Sequence, residues 1–316
     1  MQNPLLLRAQ GCLLGQLSGD SLGSLVEFQR ADQIRAAYPG GVRLLADGGT
    51  WDIIAGQPTD DSEMALALAR TLVDKQAYDT AAVRQAYQGW LASGPFDSGN
   101  TTRNGLSGRS TIGSEANGAL MRVSPLGIFC SRPEITHEQA IAWAMADAAQ
   151  THQSPICQQA NALFVLAIAD AVRNGTIPHE LYQRVVAWAT EMSVEPVVMD
   201  EIIAAAETPP DDFYSSQGWV LISLRNALWQ MLHAPGLEEG IVDTVMHGGD
   251  ADTNAAIAGA MLGALHGEES IPAQWRECVL NCRPEQGRPG VHQPRPEHYW
   301  PHDAMELAAK LVGVAE

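Results

Sequence analysis

Gly11-Cys-Leu-Leu-Gly15-Gln-Leu-Ser-Gly19-Asp20-Ser-Leu-Gly23 carries a glycine at every fourth position, and Ala255-Ala-Ile-Ala-Gly259-Ala-Met-Leu-Gly263-Ala-Leu-His-Gly267 repeats the period near the other end of the chain. Four-residue spacing puts these small residues on one helical face, where a second backbone can approach closely. Each glycine inside a helix costs up to about 1 kcal/mol in propensity, so the stripes mark helices that need close contact. Outward from them, Ala-, Leu- and Gln-rich segments recur at helical spacing, while strand-like alternation is short and β-branched clusters are few. The fold class is therefore all-α, with helices expected over 5–18, 60–75, 80–92, 137–150, 155–173, 179–192, 198–206, 218–233, 252–266 and 303–313. No stretch reads as an interdomain linker, which leaves a single domain over 1–316. The Gly/Ser-rich segment 93–118 is the longest irregular stretch and reads as a functional loop.

Of the 316 residues, 46% are apolar and only 18% charged, below the roughly 25% of ordinary soluble domains, which excludes disorder. No uninterrupted apolar run approaches the roughly 18 residues of a bilayer span. With 19 Lys and Arg against 37 Asp and Glu the formal charge is −18. Such a surface opposes the counterion exchange that drives nucleic-acid binding, and no run of Lys or Arg offsets it. The acidic excess suits metal cations or a solubilising surface. Five scattered cysteines form neither a disulfide framework nor a zinc pattern. The opening Met-Gln-Asn-Pro has no basic n-region and no cleavage site follows, so a cytoplasmic location is expected.

Four segments carry candidate chemistry. Thr59-Asp60-Asp61-Ser62-Glu63 precedes an apolar-periodic run. A capped helix start accounts for one or two of these acids; adjacent carboxylates otherwise repel unless a cation sits among them. Gly248-Gly249-Asp250-Ala251-Asp252-Thr253-Asn254 repeats that logic at a second loop-to-helix junction. Two oxygen-only clusters favour a hard divalent cation such as magnesium, manganese or calcium, and their donors suffice for more than one ion. Asp20 and Glu27 are the only acids of a stretch suited to burial, so one faces the same site or both serve as a cap and a solvated acid. Gly113-Ser114-Glu115-Ala116-Asn117-Gly118-Ala119-Leu120-Met121 could offer backbone amides to phosphate oxygens.

In order and approximate spacing, these segments resemble the signature set of the ADP-ribosylglycohydrolase family, which includes the dinitrogenase reductase-activating glycohydrolases and the ADP-ribosyl-acceptor hydrolases. The resemblance covers most of the chain. It implies an orthogonal helical bundle whose central cleft holds two divalent ions, Mg2+ or Mn2+. The metal ligands would be Thr59, Asp60, Asp61, Asp250, Asp252 and Thr253. Glu27 matches the family's mobile acid, and Glu27, Asp60 or Asp61 would take the proton from water. Ser114, Asn117, Gly118, Ala119 and Met121 match the loop for pyrophosphate and proximal ribose, and Thr151-His152 matches a pair near the nucleoside end. The implied activity is hydrolysis of an α-linked ADP-ribosyl bond, with an ADP-ribosylated protein, arginine favoured, as substrate. A free small-molecule ADP-ribosyl conjugate and a non-enzymatic ADP-ribose-binding role are the alternatives. Departures from the pattern are Ser62-Glu63 in place of Thr-Gln, Ala251 in place of Thr, and Glu115, which adds negative charge beside the phosphate loop.

Overall fold

The two small-residue stripes face each other in antiparallel helices. The computed structural model describes residues 3–314. Its helices are α1 Pro4–Gly23, α2 Ala31–Ala37, α3 Asp60–Lys75, α4 Thr80–Ala92, α5 Asn100–Leu106, α6 Ser124–Cys130, α7 His137–Ala149 and α8 Pro155–Asn174. Then follow α9 Pro178–Glu191, α10 Pro196–Ala204, α11 Val220–His233, α12 Leu237–Met246, α13 Ala251–His266, α14 Ala273–Asn281 and α15 Ala304–Leu311. Among the described residues, extended pairing is confined to three isolated bridges, Arg30 with Gly248, Gly48 with Ile53 and Ala116 with Trp219. The fold is all-α.

A Cβ built on Gly15 would lie 2.2 Å from the Gly259 carbonyl oxygen, one on Gly19 2.1 Å from that of Ala255, and one on Gly263 2.0 Å from that of Gly11. No side chain fits there, so α1 and α13 touch backbone to backbone. The stripe runs out where Gly23 meets Asp252, 2.4 Å from an added Cβ to the Asp252 Cα. That register brings the C-terminal end of α1 against the acid-bearing start of α13. Gly248 and Gly249, both in the left-handed region at φ 72° and 66°, turn the chain into α13. Gly249 is tied to the segment after α1 by Phe28 N–H donating to its carbonyl at 2.7 Å and by its own N–H donating to Gln29 at 2.9 Å.

Around this pair the buried apolar residues form one connected core, from Ala9 on α1 to Leu311 on α15. α1 extends five residues beyond the expected 5–18. The expected loop 93–118 contains α5, and α2, α6, α12 and α14 also arise where no helix was expected. α8 is the one helix among the described residues long and apolar enough to cross a membrane, and 78% of its apolar window is buried inside the protein. All five cysteines are free.

Candidate active site

Asp20, one turn before the end of α1, is fully buried and serves as the cap of a different helix. It accepts the backbone N–H groups of Thr59 and Ser62, each at 3.1 Å, at the start of α3. Thr59 makes no side-chain cap of its own. Its Oγ1 stands 2.9 Å from both Asp20 Oδ1 and Asp61 Oδ2. Asp20 thus saturates the positive end of α3 and holds Thr59 against Asp61.

The two acidic motifs meet above this cap. Carboxylate oxygens of Asp20, Asp61 and Asp252 lie within 4.8 Å of one another, and so do those of Glu27, Asp97 and Asp252, so Asp252 is common to two adjacent triads. Glu27 is buried, not solvated, and Trp51 Nε1–H donates to its Oε2 at 2.6 Å. Asp250 accepts from Asn117 Nδ2 at 2.6 Å, and Asn117 is braced by Ser223, which donates to Asn254 at 2.7 Å. The Asn117 carboxamide therefore positions Asp250, and the residue lines the cleft. Glu63, the third acid of the first motif, points elsewhere. It accepts Trp90 Nε1–H at 2.8 Å and pairs with the buried Arg295 at 2.7 Å, tying the C-terminal segment to α3.

Crowding seven acids into a largely buried site shifts them all upward. Burial, then the charges of Asp97 and Asp250, raises Glu27 to about 8. Burial also raises Asp20, to about 7, and drives Asp60, Asp61 and Asp252 well above the usual carboxylate range. Asp97 and Asp250 move the same way, burial again leading. Desolvation and mutual repulsion favour neutral acids unless cations replace the lost water. Asp61 Oδ1 is buried with no hydrogen-bond partner. An unpartnered carboxylate oxygen within an all-oxygen cluster of this charge fits a hard divalent cation.

Four of these acids, Glu27, Asp60, Asp97 and Asp250, line a cleft of about 340 Å³. Of the residues expected to form the site, Glu27, Asp60, Asn117, Gly118, Met121, His152, Asp250 and Thr253 line it. Thr59, Asp61 and Asp252 lie buried beneath. Ser114 and Ala119 do not line it: the Ser114 hydroxyl is 2.7 Å from that of Thr101, and Ala119 is packed inside the core. Sequence reasoning missed Asp97, one of two acids in the 93–118 stretch, and Trp51, the donor to Glu27. The half-exposed Phe28 also lines the cleft, with a left-handed backbone at φ 64°, and its ring meets Trp51 edge-on at 6.4 Å.

The family model for ADP-ribosylglycohydrolase matches residues 1–314. The chain belongs to the ADP-ribosylglycohydrolase family. It is 30% identical over 280 residues to the ADP-ribosyl-[dinitrogen reductase] glycohydrolase of Rhodospirillum rubrum, covering 85% of this chain and 88% of that one. It is 31% identical over 297 residues to ADP-ribosylarginine hydrolase Tri1 of Pseudomonas putida (strain GB-1), covering 86% and 74%. A solved structure described as an ADP-ribosylglycohydrolase-related protein complex superposes with a TM-score of 0.76 at 23% identity, covering 98% of each chain, and shares the fold. Family membership makes this chain a hydrolase.

Proposed function

We propose that this ADP-ribosylglycohydrolase, acting as a single domain over 1–316, is a metal-dependent enzyme that removes ADP-ribose from a protein side chain, arginine being the favoured acceptor. The observation that carries this reading is the pair of carboxylate triads sharing Asp252 at the floor of the cleft. Two relatives named for ADP-ribosyl-protein or ADP-ribosylarginine hydrolysis support the substrate class.

Thr59, Asp60, Asp61, Asp250, Asp252 and Thr253 would hold two divalent ions, Mg2+ or Mn2+, with Asp20 and Asp97 as further donors close by. When bound, such ions supply Lewis acidity toward water and sugar hydroxyls. Glu27 keeps Oε2 on Trp51 and has Oε1 for a proton from the attacking water. The surrounding carboxylates stabilise positive charge developing at the sugar carbon. Gly118, Met121 and His152 line the part of the cleft suited to the nucleotide half of the ligand.

The test is ADP-ribose release, followed by mass spectrometry, from arginine- and serine-ADP-ribosylated peptides with added Mg2+ or Mn2+ and with a chelator. Expected are cation-dependent release from the arginine peptide and a loss of at least about 10³-fold in Asp250→Asn. Release that survives chelation, or near-normal turnover in both Asp250→Asn and Asp60→Asn, refutes the mechanism. Release from the serine peptide alone replaces the acceptor.

A further inference from the structure

A chain of three aromatic rings begins at the cleft. Phe28 lines the cleft and is 48% exposed. Its ring meets Trp51 edge-on at 6.4 Å, and Trp51 meets Phe96 at 5.9 Å. None of the three is part of the connected apolar core, so helix packing does not account for the cluster. In the chain the rings flank two of the acids of the site: Phe28 follows Glu27, Phe96 precedes Asp97, and Trp51 Nε1–H donates to Glu27.

The backbone holds Phe28 where it is. At φ 64° it occupies the left-handed region, a costly conformation for a bulky side chain. Its N–H donates to the Gly249 carbonyl at 2.7 Å, and the Gly249 N–H donates to the Gln29 carbonyl at 2.9 Å. The turn into α13 thus fixes the strained residue. A strained ring that is also half exposed forgoes burial as well as backbone freedom. Such an outlier at the edge of a site points to a ligand contact.

The chemistry around the ring selects the ligand. Among the described residues lining the cleft, the Asp, Glu, Lys and Arg side chains are all acids, Glu27, Asp60, Asp97 and Asp250. A cationic group therefore meets no like charge from the lining side chains. An exposed aromatic face beside carboxylates suits a planar, weakly hydrated guanidinium, which stacks on the ring while its N–H groups reach the acids. A serine-linked conjugate offers neither the charge nor the plane. Phe28 and Glu27 both line the cleft, so the ring stands on the side where the proton of the attacking water is taken up.

We propose that Phe28, backed by Trp51 and Phe96, is a specificity-determining residue that stacks on the guanidinium of an ADP-ribosylated arginine. The identity of the conjugate rests on the function proposed above.

The test combines release kinetics on arginine- and serine-ADP-ribosylated peptides with calorimetric titration of ADP-ribose, both in Mg2+. Phe28→Leu should raise KM for the arginine peptide about fivefold. Its kcat, its Kd for ADP-ribose and any turnover of the serine peptide should stay within twofold of the natural values. Phe28→Tyr keeps the ring and should restore KM. Phe28→Asn removes the ring with a side chain that tolerates the left-handed region, and its KM decides if Phe28→Leu does not fold. An unchanged KM in the folded ringless variant overturns the proposal. A Kd for ADP-ribose that rises as much as KM also overturns it, because the ring then touches the ADP-ribosyl group and not the acceptor. So does an equal loss on the serine peptide. Natural protein that releases nothing from the arginine peptide refutes the function proposed above, and the intact peptide is then titrated directly. Binding tighter than that of ADP-ribose, weakened about fivefold without the ring, keeps the guanidinium contact; equal binding by natural and ringless proteins overturns it too.

Discussion

Replacing Gly19 by alanine puts a methyl group into the α1–α13 contact, 2.1 Å from the Ala255 carbonyl oxygen. That is roughly 1 Å inside van der Waals contact, and the obstacle is backbone, which no rotamer change removes. The helices must therefore separate by about that amount. Overpacking of this kind costs roughly 2–3 kcal/mol, a drop of about 3–5 °C in thermal midpoint for a chain of 316 residues. The activity loss should be larger than the stability loss suggests. Gly19 adjoins Asp20, and the first turn of α13 carries Asp252 and Thr253, so the opened contact pulls the two acidic motifs apart; misplacement by about 1 Å can cost up to 10²-fold in turnover. Gly89 on α4 is the internal control. It is exposed, nothing lies within 4 Å of its added Cβ, and Gly89→Ala should stabilise by roughly 0.5–1 kcal/mol through helix propensity. Scanning calorimetry and turnover at 25 °C on both variants check the pair. A Gly19→Ala midpoint within about 1 °C of the natural protein, or shifts of the same sign in both variants, would refute the close-contact reasoning.

The raised acids make stability depend on pH in a stated direction. Glu27, lifted from 4.5 to about 8, holds in the folded state a proton that the unfolded chain releases. Its stabilisation is thus full below about pH 4.5 and lost as pH rises through about 8. In chelator the thermal midpoint should fall between about pH 5.5 and 8.5, and Mg2+ should raise it more at the upper end; a flat profile contradicts the electrostatics. Trp51→Phe keeps the ring but removes the 2.6 Å donor to Glu27, so kcat should drop about tenfold while the thermal midpoint moves little, and an unchanged kcat would remove Trp51 from the site. Glu63→Gln leaves the buried Arg295 without its charge partner. Urea unfolding should show a loss of roughly 3–5 kcal/mol, and a loss under about 1 kcal/mol would show that the pair is not structural.

What could be seen in the sequence was what is local along the chain. A period of four in small residues is visible because helix contact at that distance excludes side chains wherever it occurs. Acids clustered at two helix starts are visible because each motif spans a few residues. The misreadings involve partners brought together only by folding. Glu63 sits in the same run as Asp61, yet two positions along an α-helix turn the side chain by about 200°, so it faces Trp90 and Arg295 instead of the cleft. Asp97 has no periodic neighbourhood to mark it, and it reaches Glu27 and Asp252 because the chain between α4 and α5 folds back over the floor. α2 and α5 have seven residues each, too few for helical periodicity to show.

Asp20 lies between the two cases. A lone acid in a stretch suited to burial announces that it needs a partner, and the partner turns out to be the amide end of α3, 39 residues away. That link joins the stripes to the chemistry. The glycines let α1 lie against α13 closely enough to bring Asp20 and Asp252 together, and Asp20 in turn seats α3 so that Asp61 joins them. Without a cation, the resulting cluster is an electrostatic cost that this all-α fold could shed by replacing any one acid with an amide. Keeping seven carboxyl groups there makes physical sense when a cation offsets their repulsion, so Mg2+ should raise the thermal midpoint of the natural protein more than that of Asp252→Asn. Equal shifts in the two proteins would separate the cluster from metal binding altogether.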